Sequence, residues 1–278
     1  SPEEAYKYAL RNGPEENTRH IACQDPEFAY LYALDVDKCP RENTRRSVCK
    51  DAQYAYLYAR DIDRHPCEDT RRAVCIDAQF TYVYARDVDK DSREDTREAA
   101  CKKSLYAYWY ARDVDKYPRE DTRRSACKDP YFAYLYALEI DRSPREDTRK
   151  VACRHSFYAY FYAKDIDKRP RKDTRSIACE NPLYAYRYAL YVDEGPRGDT
   201  RKAACRDSRL AYFYAKKIDK TFRKDTRKAA CQDPEWAYKY AKEVDRDFHE
   251  DTYNAVRNTK YEKEYKEFLN NRMKEEVV

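Results

Sequence analysis

Hydrophobic and polar positions along this chain follow a phrase that returns every 26 residues. The phrase Ala-Tyr-x-Tyr-Ala, written once with threonine first, occurs in ten copies between Ala5 and Ala237. Nine cysteines from Cys23 to Cys231 keep the same step without a slip. A fixed period of this size is typical of a solenoid, in which each repeat is one supersecondary unit.

Each repeat predicts two helices. In the second repeat, Asp25 stands before Pro26, an N-cap followed by proline at the first helical position. The apolar residues Phe28, Tyr32 and Val36 then recur at helical spacing, so we expect a helix, called helix A here, that ends near residue 38.

A second, shorter helix is predicted after each helix A, and we call it helix B. The stretch Ser143-Pro144-Arg145-Glu146 has the spacing of a capping box, with a glutamate three residues after the serine. In the second repeat we expect helix B over about 40–49, with Thr44, Val48 and Cys49 pointing inward. Because joints of one or two residues make neighbouring helices antiparallel, the sequence predicts an all-α fold, an α-solenoid of ten short two-helix repeats.

The two ends differ from the middle of the chain. Residues 1–23 form a shortened repeat that we interpret as an N-terminal cap, and residues 24–257 form nine tandem helical hairpins. Arg257 stands where the next cysteine of the series is expected, and residues 258–278 carry a charged amphipathic stretch from Lys260 to Glu276. Since a solenoid needs polar caps over its open core ends, this stretch predicts a C-terminal capping helix.

The repeat phrase resembles tandem short helical repeats found in phage and bacterial genomes. The resemblance rests on the Ala-Tyr-x-Tyr-Ala phrase, the Val-Asp pair and the joint that usually contains proline, and it covers nearly the whole chain. It implies the helical-repeat fold, and it implies no common activity, cofactor or site residue.

Composition narrows the classes of function. The 278 residues include 30 Tyr, only 3 Gly and only 4 His, and 57 Lys and Arg stand against 52 Asp and Glu. Three glycines are too few for a phosphate-cradling or dinucleotide loop, and the histidines occupy non-equivalent repeat positions. No apolar run approaches 18 residues, so we expect no membrane span. Because the glycines are few and the histidines do not form a shared pattern, we expect no metal, no cofactor and no enzymatic activity.

Positions that do not vary between repeats predict the stacking interface. Tyr30 and Tyr32 have counterparts in all ten repeats, while Asp37 and Arg45 have counterparts in nine. We interpret the acid and the guanidinium as an internal polar ladder, joined by the Tyr30 hydroxyl, in preference to a row of catalytic or phosphate-binding pairs. The representative ladder residues are Asp37, Arg45, Asp115, Arg123, Asp141 and Arg149.

The cysteine series predicts buried free thiols. One cysteine in each repeat is not a zinc pattern, and packed helices about 8–10 Å apart are too distant for disulfides between repeats. We therefore expect a reducing compartment, the cytoplasm. Cys39 and Cys67 fall outside the series, at joints, and are the expected reactive thiols.

Two variable positions of helix A become apolar in the middle repeats and polar toward both ends. This pattern favours an exposed binding surface, which we call the helix-A strip, although packing of helix A on two sides is an equal alternative. Its residues are Leu105, Trp109, Tyr131, Leu135, Phe157, Phe161 and Leu183. Arg86, Arg112 and Lys164 are expected to form a charged rim that favours an acidic partner.

A non-enzymatic scaffold that presents an elongated surface to a protein or peptide is the predicted function. The first alternative is a modular reader of single-stranded RNA or DNA, since helix B carries a row of exposed basic positions. The near balance of charges argues against it. The second alternative is self-assembly into a homo-oligomer or a larger structural particle.

Overall fold

A computed structural model describes residues 1–275, with side chains through Arg272. Helices are the regular secondary structure throughout that range, and no strand occurs in it. They come in regular pairs, one helix A and one helix B, and each pair packs against its neighbours. The prediction of an all-α fold, an α-solenoid, is confirmed.

The chain forms two compact units, which we describe separately. In the unit 1–142, helix A begins as an α-helix and, from the second repeat on, ends in a π-helical turn. The α-helical parts are Pro2–Asn12, Pro26–Leu31, Ala52–Tyr58, Ala78–Tyr84, Ser104–Trp109 and Pro130–Leu135. The π-helical parts are Tyr32–Asp37, Ala59–Asp63, Ala85–Asp89, Tyr110–Asp115 and Tyr136–Asp141. The B helices are Glu16–Ala22, Glu42–Val48, Glu68–Val74, Glu94–Ala100 and Glu120–Ala126.

The unit that starts at Ser143 has the same construction. Its B helices are Glu146–Ala152, Lys172–Ala178, Gly198–Ala204, Lys224–Ala230 and Glu250–Val256. Its A helices have α-helical parts Ser156–Phe161, Pro182–Tyr191, Ser208–Tyr214 and Pro234–Tyr240, with π-helical parts Tyr162–Asp167, Ala215–Asp219 and Ala241–Asp245. A final helix covers Glu262–Glu275.

Helix A starts as the sequence predicts. The Asp25 carboxylate accepts from the backbone N–H groups of Glu27 and Phe28, and Pro26 occupies the first turn. Asp129 and Asn181 cap their helices in the same way. Short polar side chains at these positions satisfy N–H groups that have no partner within the helix.

Helix A ends in a way that the sequence does not reveal. The N–H of Lys116 donates to the carbonyl of Ala111, five residues back, at 2.9 Å, which closes a π-helical turn. Lys116 itself is left-handed, with φ of 62°, and eight more repeats place Lys, Arg or Glu in this conformation. Glycine usually occupies such a position, because a Cβ is unfavourable there. Since these repeats have Lys, Arg or Glu instead, the sequence carries no glycine that would mark the end of helix A.

The predicted capping box of helix B is wrong. In the sixth repeat the helix begins at Glu146, its N-cap is Arg145, and no side chain of its own caps it. The backbone N–H of the N-cap residue finds its partner in the next repeat, because the Tyr162 hydroxyl accepts a hydrogen bond from the Arg145 N–H at 3.0 Å. The same hydroxyl lies 2.8 Å from the Thr148 hydroxyl. This tyrosine–threonine pair explains why both residues recur.

The core lies between successive repeats. Tyr58 is fully buried and packs on Ala29, Ala33 and Val48 of the preceding repeat. Its counterparts, from Tyr32 through Tyr240, are fully buried as well. Tyrosine therefore supplies both the apolar filling and the hydroxyl that caps the adjoining helix B, which accounts for a stable fold with few aliphatic residues.

The C-terminal helix takes the place of one further helix A. Tyr265 is fully buried against Ala237, Ala241 and Val256, and its hydroxyl lies 2.9 Å from that of Thr252. These contacts repeat the tyrosine–threonine pair of the inner repeats. The expected extent to Glu276 passes outside the described residues.

Candidate functional site

The ladder residues pair between repeats. Asp37 accepts two hydrogen bonds from Arg19 of the preceding repeat, at 2.7 and 2.6 Å. Arg45 in turn donates to Asp63 of the following repeat, at 3.2 and 2.6 Å. Asp37 and Arg45 therefore belong to two successive rungs, each of which ties one helix B to the next helix A.

Most rungs share this bidentate geometry and are closed to solvent. The side chain of Asp167 is 0% exposed and that of its partner Arg149 is 9% exposed. Arg123 and Asp141 are equally enclosed. Burial raises the pKa of Asp89 and of Asp193, although their arginine partners act in the opposite direction. Guanidinium groups already engaged in this way have little capacity for a substrate phosphate.

One rung departs from the pattern. Arg97 donates to Asp121 at 2.7 Å, and its nearest approach to Asp115 is 3.8 Å. Asp115 accepts instead from the Ser92 hydroxyl, and its second carboxylate oxygen is buried with no hydrogen-bond partner. Ser92 replaces the proline that most repeats have in this joint, so a single change of residue redirects the rung.

The expected role of Tyr30 is wrong. Its hydroxyl donates to Asp61 at 2.8 Å and does not join the Arg–Asp ladder. Asp61 also accepts two hydrogen bonds from the adjacent Arg60, at 2.7 and 2.8 Å. A third nitrogen of Arg60 donates to the Tyr56 hydroxyl at 3.2 Å. The hydrogen bonds that Asp61 accepts, first those from Arg60 and then the one from Tyr30, lower its pKa.

The same three partners recur through the unit 1–142 and form a second network, outside the ladder. Tyr56 donates to Asp87, which Arg86 also contacts, and Tyr82 donates to Asp113, which Arg112 contacts. This network was not predicted from the sequence. The signal was present as adjacent Arg-Asp pairs spaced 26 residues apart, at 60–61, 86–87 and 112–113.

The two arginines of the predicted charged rim belong to this second network. Arg86 and Arg112 each chelate the neighbouring aspartate with two nitrogens, so their charges are already compensated. Lys164 lies 3.5 Å from Asp165 in the other unit. Each of the three cations therefore has a carboxylate of its own chain beside it.

All eleven cysteines are free thiols. The members of the 26-residue series are partly buried, which corrects the expectation of full burial. Burial is nevertheless the main cause that raises the pKa of Cys49 to about 11 and of Cys153 to about 12. A thiol with a raised pKa has little thiolate and is a poor nucleophile.

In the unit 1–142, the helix-A strip is partly buried and partly exposed. Trp109 packs against the rings of Tyr82 and Tyr106, at centroid distances of 5.6 and 5.7 Å. It shares one apolar cluster with Val83 and the next with Leu135. Leu105 is half-buried, and Tyr131 is 44% exposed. Both interpretations of the strip thus apply, because the inner row, Trp109 and Leu135, packs on neighbouring side chains, while the outer row, Leu105 and Tyr131, is half-buried to exposed.

In the unit that starts at Ser143, the strip is shorter. The rings of Phe157 and Phe161 pack at a tilt with their centroids 4.6 Å apart, and Phe157 also contacts Tyr184 at 5.5 Å. Leu183 is half-buried. Arg187 follows at the inner position, where its guanidinium lies over the Tyr184 ring. The strip therefore ends at a cation.

The described residues offer no site for a metal, because no group of three or more His, Cys, Asp or Glu side chains converges among them. His20, His65 and His155 are exposed, and His249 lies 2.7 Å from Arg227. No helix of the described chain is long and apolar enough to span a membrane.

Comparisons with protein-family models, with curated proteins and with solved structures find no match to this chain.

Proposed function

We propose that this protein is a non-enzymatic binding scaffold, an α-solenoid that presents the helix-A strip to a protein or peptide partner. The observation that carries the proposal is the composition of one row of side chains, exposed at Gln53, Gln79 and Tyr131 and half-buried at Leu105. At the outer position of helix A, successive repeats have Gln53, Gln79, Leu105 and Tyr131, so solvent-facing glutamine gives way to apolar side chains. Apolar residues that cluster on a surface favour an interaction site.

The contacts of the inner row support the same proposal. Trp109 is held by Tyr82 and Tyr106, and Leu135 packs beside it. A partner would thus meet a preformed floor with a tryptophan at its centre, and tryptophan is prominent among residues that dominate binding energy. Because Arg86 and Arg112 are chelated by their own aspartates, we expect the partner to be recognised mainly through apolar contacts.

A modular reader of single-stranded nucleic acid receives less support. Such a reader would need one free aromatic face or hydroxyl in each repeat. The Tyr32 series is fully buried, and hydroxyls of the Tyr30 series, such as those of Tyr56 and Tyr82, are bound to carboxylates. For the compartment, the free thiols support a reducing one, and we propose the cytoplasm.

The proposal is tested with a variant that borrows the chain's own residue. Leu105→Gln with Tyr131→Gln gives the fifth and sixth repeats the glutamine of the third and fourth. Gln53→Ala with Gln79→Ala is the matched control. Full-length proteins are used to capture partners from a lysate of the source organism, with and without nuclease. We expect a protein partner that the wild type and the control retain and the glutamine variant loses.

If the three proteins capture the same set, or if nuclease removes every captured protein, the helix-A strip is not a protein-binding surface.

A further inference from the structure

The two units differ sharply in charge, although the whole chain is nearly balanced. Residues 1–142 contain 25 Lys and Arg against 28 Asp and Glu. Residues 143–278 contain 32 Lys and Arg against 24 Asp and Glu, and the excess lies within 143–230, which contain 23 against 12. A strong asymmetry within one chain suggests a partner for the charged part, even where the total charge does not.

The asymmetry arises on helix B. In the unit 1–142 the first residue of helix B is always glutamate, and in two repeats it pairs with an arginine one turn later, Glu68 with Arg72 at 2.7 Å and Glu120 with Arg124 at 3.5 Å. In three repeats of the other unit the first residue is Lys172, Gly198 or Lys224. Lys202 and Lys228, one turn later, are exposed and form no ion pair among the described residues.

One of these cations, Lys172, lines a concave surface. An open cleft of about 730 Å³ is lined by Arg169, Arg171 and Lys172, with Asp173 as its one acid. In the ninth repeat Phe222 replaces the usual proline of the joint and is 58% exposed, next to Arg223 and Lys224. An exposed ring among positive charges can stack on a base while the charges contact phosphates.

We infer that this surface, which we call the basic face, binds single-stranded nucleic acid through its phosphate backbone. Its residues are Arg169, Lys172, Lys202, Phe222, Lys224 and Lys228. The basic face is separate from the helix-A strip, so the inference goes beyond the proposed function and does not depend on it. Recognition is expected to be independent of base sequence, because the cations are suited to phosphates, and a ring stacks on any base.

The test again uses the chain's own residues. Lys172→Glu with Lys224→Glu restores the acid found at this position elsewhere, and glutamate in a first turn favours the helix. The matched control, Arg46→Glu with Arg124→Glu, makes the same change of charge on helix B of the unit 1–142. Binding of a fluorescein-labelled 20-nucleotide strand of mixed sequence, as DNA and as RNA, is measured by anisotropy at several salt concentrations.

We expect the wild type to bind with a Kd below about 10 μM at 50 mM NaCl. The basic-face variant should bind at least tenfold more weakly, and its slope of log affinity against log salt should fall by about 1.4, for two lost phosphate contacts. The control should stay within threefold of the wild type. Phe222→Pro should weaken binding about fivefold or more without changing the salt slope.

Three results would overturn the inference. One is no binding by a wild type whose circular dichroism and melting are those of a folded protein. The second is an equal loss of affinity in the control variant, which would mean that only total charge matters. The third is equally tight binding of a poly-glutamate peptide, which would make the basic face a surface for acidic protein segments.

Discussion

The Arg149 guanidinium donates to both carboxylate oxygens of Asp167, 18 residues later, at 2.8–3.2 Å, and the aspartate side chain is completely buried. The two residues belong to helix B of one repeat and helix A of the next. Each such rung is a bond between repeats, so the ladder sets the register in which they stack.

Arg149→Ala should lower the free energy of unfolding by about 3–5 kcal/mol, because it leaves the Asp167 carboxylate buried and without its cation. Lys150→Ala, at the exposed neighbouring position, should change it by less than about 0.5 kcal/mol. Urea denaturation of both variants provides the measurement. Replacing the pair together, with Arg149→Met and Asp167→Leu, should recover most of the loss. Equal midpoints for the two alanine variants would contradict the structural role of the ladder.

The outer network makes stability depend on acid. Two hydrogen bonds from Arg86 are the first cause that lowers the pKa of Asp87. Its folded pKa lies below that of an unfolded aspartate, about 3.9. The stability contributed by the ionised carboxylate is therefore complete above that value and is lost as pH falls through the folded pKa.

We expect Asp87→Asn to weaken the dependence of the urea midpoint on pH between about pH 5 and pH 2.5. Glu98→Gln, at an exposed position with no ion pair among the described residues, is the control and should leave the dependence unchanged. A wild-type slope retained in Asp87→Asn would show that this carboxylate does not stabilise the fold.

The thiol series can be examined by alkylation. Since burial raises the pKa of Cys153 to about 12, its thiolate at pH 8 is scarcer than that of an ordinary thiol by about a thousandfold. Iodoacetamide should label Cys39 and Cys67, next to exposed joint residues, well before Cys153. All eleven should react at similar rates in 8 M urea. Peptide mass spectrometry gives the order, and early labelling of Cys153 would mean that its surroundings are open to solvent.

The left-handed end of helix A offers a route to greater stability. Lys116→Gly removes a Cβ from a residue with φ of 62° and should stabilise the fold by about 0.5 kcal/mol, after the entropy of glycine in the unfolded chain is included. Lys116→Val should destabilise it by more than about 1 kcal/mol. Lys150→Gly, within helix B, should lose about 1 kcal/mol. A destabilising Lys116→Gly would show that the lysine side chain contributes to this end of the helix.

Much of the fold could be predicted because the repeats align with one another. The period, the N-caps such as Asp25, and the buried Tyr32 series follow from residue type and spacing alone. The start of helix B could not be predicted, because its N-cap is satisfied by a tyrosine from the next repeat. The π-helical turn was equally hidden, since Val36 fits an ordinary helical period and a lysine occupies the left-handed position.

The candidate site was predictable only in part. The pattern of variable residues located the helix-A strip, but it could not show that Trp109 packs on Tyr82 while Tyr131 faces solvent. Its position on helix A beside the strip suggested that Arg86 was available to a partner. In the structure Arg86 donates to Asp87, its neighbour in sequence. Asp87 also accepts a hydrogen bond from Tyr56 of the preceding repeat, a contact that the sequence alone does not reveal.

The central claim is that the helix-A strip binds a protein. The most direct measurement is isothermal titration of the captured partner into wild-type protein and into Tyr131→Gln, with the melting temperature of both recorded. Because Tyr131 is 44% exposed, we predict at least a tenfold loss of affinity and a melting temperature within about 1 °C of the wild type. An unchanged affinity in Tyr131→Gln would contradict the proposed binding surface.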